Sequence, residues 1–251
     1  SVLDFSLWDG VVDRQSFKAT LGTAEASLSG RGHFGGHTTY LFSLRQSYLQ
    51  MVFKMLGLPF LPNYTDALFK VKTELSRRTT LTLIALGGID RMKLNTGVED
   101  DEHAAYILSY LPKVTQETFT VGAVVRHYAG PHTTTLTLSH NYLNNRNVKY
   151  RDNDESRPEG LMLDLRGREQ KSTLRVENRT TVGDRWMLKE NVELAYHNMS
   201  ADNRQQNLVG RWNNYRTQLG FFSYGASLTA AYTGHADRLR LSMGVRADGN
   251  S

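Results

Sequence analysis

Three glycines near the start of the chain have the spacing of a dinucleotide-binding fingerprint. Gly30, Gly32 and Gly35 satisfy G-x-G-x-x-G, a motif that holds a pyrophosphate when a strand precedes it and a helix follows it. Residues 38–44 alternate instead as a further strand would. We therefore predict a hairpin turn at these glycines and no nucleotide site.

Two groups of carboxylates and one pair of histidines could in principle bind a metal ion. Neither acidic group has the spacing of a defined calcium loop, and His33 with His37 lacks a third ligand. We predict solvated loops, no metal site and no cofactor. The two acidic groups comprise Glu99, Asp100, Asp101, Glu102 and His103, and Asp152, Asp154 and Glu155.

Catalysis has no positive support in the sequence. Cysteine is absent and no Gly-x-Ser-x-Gly motif occurs, so the common nucleophile arrangements are missing. We predict that the chain is not an enzyme.

Charged side chains of both signs recur at every second position of several apolar segments. They would line either a water-filled channel or a surface on which a plug domain docks, and their mixed signs favour the plugged lumen over a charge-selective pore. The set comprises Lys70, Lys72, Glu74, Arg175, Glu177, Arg179, Lys189, Glu193, Arg240 and Arg246.

The segments that position these charges alternate with period two, as strands do. Trp186 and Tyr196 lie ten positions apart, as do Phe222 and Tyr232. A tilted strand of ten residues climbs about 25 Å, the height of the apolar band of an outer-membrane barrel, and aromatic rings sit at both of its edges. We expect roughly eleven strands of about ten residues, with these side chains in lipid: Leu136, Leu138, Val192, Leu194, Leu228, Leu241 and Met243.

Connections between these strands alternate in length. Short turns are expected at 33–36, 76–79, 130–132, 183–185 and 234–237, and long polar connections at 91–114, 144–168 and 197–217. A fourth long connection, 48–66, is apolar, and Leu49, Val52, Phe53 and Leu56 predict a short helix ended by Gly57. Short turns on one side and long loops on the other are typical of outer-membrane barrels, with the short turns periplasmic.

Composition is compatible with this interpretation. The chain has 251 residues, 39% of them hydrophobic, with a mean hydropathy of −0.46, and no apolar run is long enough for a transmembrane helix. The net charge of +5 arises from basic residues interleaved with acidic ones, which argues against a nucleic-acid partner. A start at Ser1 without a signal peptide indicates a piece of a longer protein.

Several segments also resemble one known family. SVLDFSL at residues 1–7 looks like the last plug strand of TonB-dependent outer-membrane receptors. RQSYLQMVFKMLGLPFLPNYTDALFKVK at residues 45–72 resembles the second extracellular loop and following strand of such receptors from the Bacteroides group. NNRNVKY, REQKSTLRVEN and LSMGVRAD, at residues 144–150, 168–178 and 241–248, are similar to later barrel segments.

This resemblance implies an all-β fold, an antiparallel transmembrane β-barrel of which the chain holds about half of some 22 strands. Residues 1–12 would be the last strand of the plug and residues 13–251 the first half of the barrel. The implied function is that of an outer-membrane receptor in a Gram-negative bacterium that imports a siderophore, glycan or peptide. Its implied partners are outer-membrane lipid, the remaining barrel and plug, TonB through a missing N-terminal region, and a surface lipoprotein.

Two other classes of function remain open from the residues alone. One is a soluble β-rich module that recognises carbohydrate or protein, and the other is an outer-membrane enzyme of the lipase or protease type. Aromatic side chains in the long connections are candidates for stacking on a ligand. They are Tyr48, Tyr64, Tyr110, Tyr150, Trp212 and Tyr215.

Overall fold

The computed structural model describes residues 7–10, 13–98, 100–207, 209–234 and 239–251. They form one antiparallel sheet of eleven strands in which every strand pairs with its neighbours in sequence. The elements are β1 Ser16–Leu21, β2 Glu25–Phe34, β3 Thr38–Ser47, α1 Leu49–Met55, β4 Phe60–Ser76, β5 Thr79–Leu94, α2 Glu102–Tyr110, β6 Lys113–Ala129, β7 His132–Tyr150, β8 Leu161–Val182, β9 Trp186–Gln206, β10 Trp212–Gly234 and β11 Leu239–Asn250.

The strand count is confirmed, but the expected strand length is wrong for most of the sheet. Strands β4 to β10 run from 16 to 23 residues, well beyond the ten that cross a bilayer. The half of each strand that lies away from the short turns is polar. Each hairpin continues past the apolar band, so the backbone of this polar half remains paired. Of the three expected long polar loops, 144–168 and 197–217 are therefore mostly strand, whereas 91–114 is not. The connections lie within residues 95–112, 151–160 and 207–211.

The short turns lie where the sequence predicts them. Strands join through residues 35–37, 77–78, 130–131 and 183–185, and Gly35, Gly130 and Gly183 take positive φ angles of 64°, 59° and 57° there. The fifth predicted turn, 234–237, lies outside the described residues except for Gly234, which ends β10. We call this side of the sheet the short-turn end and the opposite side the long-connection end.

Strict register divides the sheet into two faces. Leu138 pairs with Leu174, and Leu174 with Leu194, so these leucines share one face, which we call the apolar face. Its predicted lipid-facing residues are exposed, from 41% at Leu136 to 80% at Met243. The side chains between them form the polar face, which carries the whole predicted set of inner charges.

Aromatic pairs mark both edges of the apolar face. Trp186 lies opposite Tyr232 at the short-turn end, with ring centroids 5.0 Å apart, and Tyr196 lies opposite Phe222 at 4.9 Å. Phe119 stacks on Tyr142 at 4.9 Å. The predicted girdles therefore exist as cross-strand ring contacts.

This sheet has almost no conventional core. The buried hydrophobic residues are Tyr40, Ala104, Leu108 and Ala195, and the described residues provide no second layer over the apolar face. A soluble β domain would cover such a face with a second sheet. Among the described residues, no helix is long and apolar enough to cross a membrane.

The predicted helix in residues 48–66 is present as α1. Gly57 has a φ of 66°, and the amides of Leu58 and Gly57 donate to the carbonyls of Phe53 (3.0 Å) and Lys54 (3.2 Å). This is a Schellman motif, which requires a left-handed residue just past the helix. The Phe53 ring contacts Phe60 at 5.4 Å and packs the helix against β4.

Candidate functional site

The polar face is held together by ion pairs between neighbouring strands. Arg175 Nε donates to Glu193 at 2.8 Å, and Lys189 contacts Glu177 at 3.0 Å. Opposite charges across a strand pair stabilise the sheet, and each pair reduces the net charge of the surface. The face therefore presents polar groups of both signs and no continuous field of one sign.

Residues 7–10 lie against this face, on strands β3 and β4. The Lys70 ammonium donates to the carbonyl oxygens of Leu7 (2.9 Å) and Trp8 (3.2 Å) and contacts the Asp9 carboxylate at 2.7 Å. Lys72 contacts the same carboxylate at 2.6 Å. Lys70 is only 8% exposed, so its charge is compensated by the segment that covers it.

Both lysines stabilise the charged form of Asp9. Burial alone raises the pKa of this carboxyl, but hydrogen bonds from Lys70 and Lys72, together with their positive charges, outweigh it and hold the pKa below its ordinary value of 3.8. The contact between residues 7–10 and the sheet is therefore ionic at neutral pH.

A second polar cluster lies on the same face at the long-connection end. The Tyr64 hydroxyl donates to the Glu25 carboxylate at 2.6 Å, and Arg45 Nε donates to Asp66 at 2.9 Å. The Arg45 guanidinium also lies 5.2 Å from the centre of the Tyr64 ring. The Tyr48 hydroxyl donates to the Glu25 backbone carbonyl at 3.2 Å, so the structure brings two of the six candidate aromatic residues to Glu25.

Helix α2 covers part of the polar face at the same end. Lys149, 7% exposed, donates to the carbonyls of Leu108 and Leu111 and to the Asn153 side chain. A cation at these carbonyls offsets the negative end of the helix dipole. Leu108, itself a residue of α2, is only 1% exposed.

The prediction of a loop for residues 91–114 is wrong in its centre, because α2 occupies it. The Asp101 carboxylate accepts the Ala104 amide at 2.8 Å and caps the helix, so part of the first acidic group is a helix start. The signal was readable, since the apolar residues that follow Asp101 have helical spacing. Glu99 lies outside the described residues.

The other four candidate aromatic residues are spread over the same end of the sheet. Tyr110 is the last residue of α2 and contacts Tyr106 at 5.3 Å. Tyr150 ends β7 and borders a cavity of about 490 Å³ beneath α2. Trp212 and Tyr215 lie in β10 on opposite faces, because an odd spacing reverses the side-chain direction.

Their expected location in loops is therefore wrong for most of the set. Tyr64, Tyr150, Trp212 and Tyr215 lie in strands and Tyr110 in a helix, whereas Tyr48 caps α1. Trp212 is on the apolar face with the Arg204 guanidinium 5.0 Å from its ring, so it points away from the polar cluster. The role of all six in ligand binding stays a prediction.

The discarded motifs have structural explanations. Gly30 and Gly32 lie inside β2, where a Cβ on Gly30 would approach the ring of Phe42 to 2.5 Å; only Gly35 of the three is in the turn. His33 Nδ1 lies 2.8 Å from the Gly35 carbonyl, and His37 Nδ1 lies 3.4 Å from Glu74. Among the described residues, no group of three or more His, Cys, Asp or Glu side chains is arranged to hold a metal ion.

Sequence reasoning missed Asp9, Glu25 and Arg45 as partners of predicted residues. Arg45 and Asp66 occupy polar positions of alternating segments, so their common face was predictable. Their contact was not, because it depends on the register between β3 and β4.

No protein-family model matches the sequence, and no curated protein matches it significantly. Solved structures do match the fold. "Copper transporter OprC" has a TM-score of 0.61 at 13% identity, over 93% of this chain and 35% of that one. The RagAB peptide importer in its "open-open" state has 0.62 at 9%, over 90% and 31%. The siderophore receptor PirA from Acinetobacter baumannii has 0.62 at 9%, over 94% and 38%.

These matches confirm the predicted fold: the eleven antiparallel strands have the arrangement of part of the barrel in these structures. The apolar face between aromatic pairs agrees with this fold. The similar structures are described as a copper transporter, a peptide importer and a siderophore receptor. The chain spans about a third of the length of the solved structures that it matches.

Proposed function

We propose that this chain is part of the barrel wall of an outer-membrane receptor that imports a nutrient by TonB-dependent transport, without changing the nutrient chemically. The observation that carries the proposal is the contrast between the two faces. One face is apolar between aromatic girdles, and the other is ionic and in contact with residues 7–10.

The apolar face supports a position in the bacterial outer membrane. Exposed leucine and valine side chains on five or more neighbouring strands would be an aggregation surface in water, whereas lipid is their expected surroundings in a barrel. The girdle residues Trp186 and Tyr232 place one boundary of the bilayer near the short turns. In this arrangement the short turns are periplasmic and the long-connection end is extracellular.

Residues 7–10 support a plugged lumen. We propose that residues 1–12 end the plug domain and that residues 13–251 begin the barrel. The contacts of Asp9 with Lys70 and Lys72 are then plug-to-wall contacts. They are ionic and partly exposed, since the Asp9 side chain is 43% exposed, so hydration can compensate for their loss when the plug rearranges.

Ligand binding is assigned to the extracellular end of the polar face. Tyr64 and Tyr48 meet at Glu25 there, and Arg45 lies over the Tyr64 ring. Aromatic rings beside charged groups suit ligands with both polar and apolar surface. A siderophore, glycan or peptide fits this description, and the similar structures are named as a copper transporter, a peptide importer and a siderophore receptor.

The remaining partners follow from this proposal. The rest of the barrel would pair with β1 and β11, the edge strands of the described sheet, because an unpaired edge in lipid leaves backbone groups unsatisfied. TonB would contact a region N-terminal to this chain, and a surface lipoprotein would lie over the extracellular end.

Growth of the source bacterium tests the function. A strain that lacks the gene is compared with its complemented parent on siderophores, glycans and peptides supplied singly, each with and without functional TonB. We expect a defect on one nutrient in the deletion strain, and the same defect in the strain without functional TonB. Equal growth on every nutrient, or a defect that needs no TonB, would contradict the proposal.

A paired variant connects the defect to the polar face. Lys70→Met removes the cation that holds residues 7–10, whereas Arg179→Met removes a cation from the same face farther along the sheet. We expect the rate of nutrient uptake to differ from that of the parent by more in Lys70→Met than in Arg179→Met, at equal amounts of folded receptor.

A further inference from the structure

The charged residues of the apolar face are concentrated beyond the girdle at the long-connection end. On strands β7 to β10, Glu190 is the one Lys, Arg, Asp or Glu residue of this face between the girdles, among the residues described. Beyond Tyr142, Tyr196 and Phe222 the same face carries five arginines and two aspartates. These arginines, which we call the basic belt, are Arg146, Arg166, Arg168, Arg204 and Arg216.

At the centre of the belt, two arginines share one carboxylate. Arg146 Nε donates to Asp164 at 3.0 Å and a terminal nitrogen donates at 3.2 Å; the corresponding distances from Arg166 are 3.2 and 2.8 Å. The Asp164 side chain is only 7% exposed, whereas Arg146 is 46% and Arg166 57% exposed. The aspartate thus lies beneath the two guanidinium groups, and they face outward.

This arrangement places two like charges side by side. Arg146 and Arg166 lie directly opposite each other on β7 and β8, and like charges in that position are destabilising. Asp164 accepts from both guanidinium groups, and Asp202 lies opposite Arg166 on the β9 side. The five arginines and two aspartates of this region still leave a net positive charge. Each guanidinium has five N–H donors in a planar fork, so donors remain after the bidentate contact with Asp164.

The rest of the belt extends the positive surface. Arg216 continues the row of Arg146 and Arg166 onto β10, with the carboxylate of Asp202 between Arg166 and Arg216 on β9. The Arg204 guanidinium lies over the Trp212 ring. Arg168 is exposed and lies two residues nearer the girdle than Arg166.

The height of the belt matches the headgroup layer of a bilayer. Arg146 lies four positions beyond Tyr142, which is a rise of about 10 Å along a tilted strand. An arginine side chain can reach back toward the girdle from there. Phosphate groups of lipid headgroups occupy this layer, and guanidinium forks bind phosphate bidentately.

We propose that Arg146 and Arg166, positioned by Asp164, form a clamp for the phosphate of an anionic glycolipid in the outer leaflet. The proposal rests on the proposed membrane orientation of the barrel, but it concerns the lipid-facing surface and not transport. Arg168, Arg204 and Arg216 supply further positive charge around the clamp.

The test uses the complete receptor reconstituted in phosphatidylcholine vesicles, with or without lipid A, a diphosphorylated acylated disaccharide. Tightly bound lipid A is counted by native mass spectrometry after detergent extraction, and phosphatidylglycerol vesicles and inorganic phosphate are run in parallel. The double variant Arg146→Gln with Arg166→Gln is compared with Arg77→Gln with Arg78→Gln, which removes the same charge from a short turn at the opposite end. Heat-modifiable migration on gels verifies that each variant is folded.

We expect the clamp variant to retain about tenfold less lipid A, because hydrogen bonds to charged groups contribute strongly to binding, and the turn variant to behave like the parent. Retention of lipid A above phosphatidylglycerol, and no displacement by inorganic phosphate, would identify a glycolipid as the occupant. Equal retention by the clamp and turn variants would overturn the proposal, as would equal retention of the two lipids.

Asp164→Asn separates the geometry from net charge. This variant adds positive charge to the belt, so simple electrostatic attraction predicts more bound lipid A. The clamp predicts less, because the two guanidinium groups lose their common support. An increase would contradict the clamp. Failure of the parent receptor to insert even into phosphatidylcholine vesicles would instead contradict the proposed barrel.

Discussion

Leu138 is the most informative position for testing the membrane assignment. Its side chain is 57% exposed on the apolar face, and its direct neighbours on β6 and β8 are Ala123 and Leu174. An arginine here would have no carboxylate opposite it. In water the change would be harmless to an exposed position, whereas in lipid it would place a charge among hydrocarbon chains.

The expected magnitude follows from the depth of the residue. Leu138 lies four positions from Tyr142 in the direction of the short turns. This spacing places it about 10 Å below the girdle and close to the bilayer midplane. An arginine at that depth costs about 2 to 4 kcal/mol, which is roughly a 30- to 1000-fold decrease in the folding equilibrium.

Two matched variants isolate the effect of depth and face. Ser139→Arg places the same charge one residue away on the polar face, opposite Gly122 and Thr173. Asn144→Arg keeps the apolar face but lies beyond Tyr142, where the expected loss is about 0 to 1 kcal/mol.

The measurement is urea-induced unfolding of the complete receptor in vesicles. We expect Leu138→Arg to lose far more stability than Ser139→Arg and Asn144→Arg. If Leu138→Arg and Ser139→Arg lose the same amount, then Leu138 does not face lipid and the membrane reasoning is refuted.

Three further predictions follow from the structure. In whole cells a membrane-impermeant thiol reagent should label Val209→Cys, in the connection at the long-connection end, but not Asp184→Cys, in a short turn; the reverse pattern would invert the orientation. Because the pKa of Asp9 is lowered in the folded state, the stabilisation from its lysine contacts is present above pH 3.8 and is lost as the pH falls through the lowered value. Protease protection of residues 7–10 should therefore decrease in acid for the parent, whereas Asp9→Asn should be less protected already at neutral pH. Gly57→Ala should destabilise the receptor by about 1 kcal/mol, measured by urea unfolding, because φ is 66° there; a stabilising effect would rule out the left-handed cap.

The candidate site was predictable in its parts and not in its assembly. Alternation assigned Lys70, Lys72 and Arg175 to one face without any structure, because side chains of a strand point to opposite sides in turn. It did not reveal that Lys70 is covered by residues 7–10, since that contact joins positions 62 and 63 residues apart. Trp212 and Tyr215 were grouped because both fall in the expected connection 197–217, although their odd spacing of three residues puts them on opposite faces of β10.

The sequence by itself determined the strand number, the identity of the two faces, the short turns and helix α1, because each depends on local periodicity or on a turn residue such as Gly35 or Gly57. Tertiary structure alone decided how far each strand continues beyond the membrane band, because pairing with a neighbouring strand satisfies backbone groups that a polar sequence does not mark as strand. It also decided which charges meet. The shared carboxylate beneath Arg146 and Arg166, and the lysine pair around Asp9, arise from register and chain packing, and no spacing along the sequence specifies either of them.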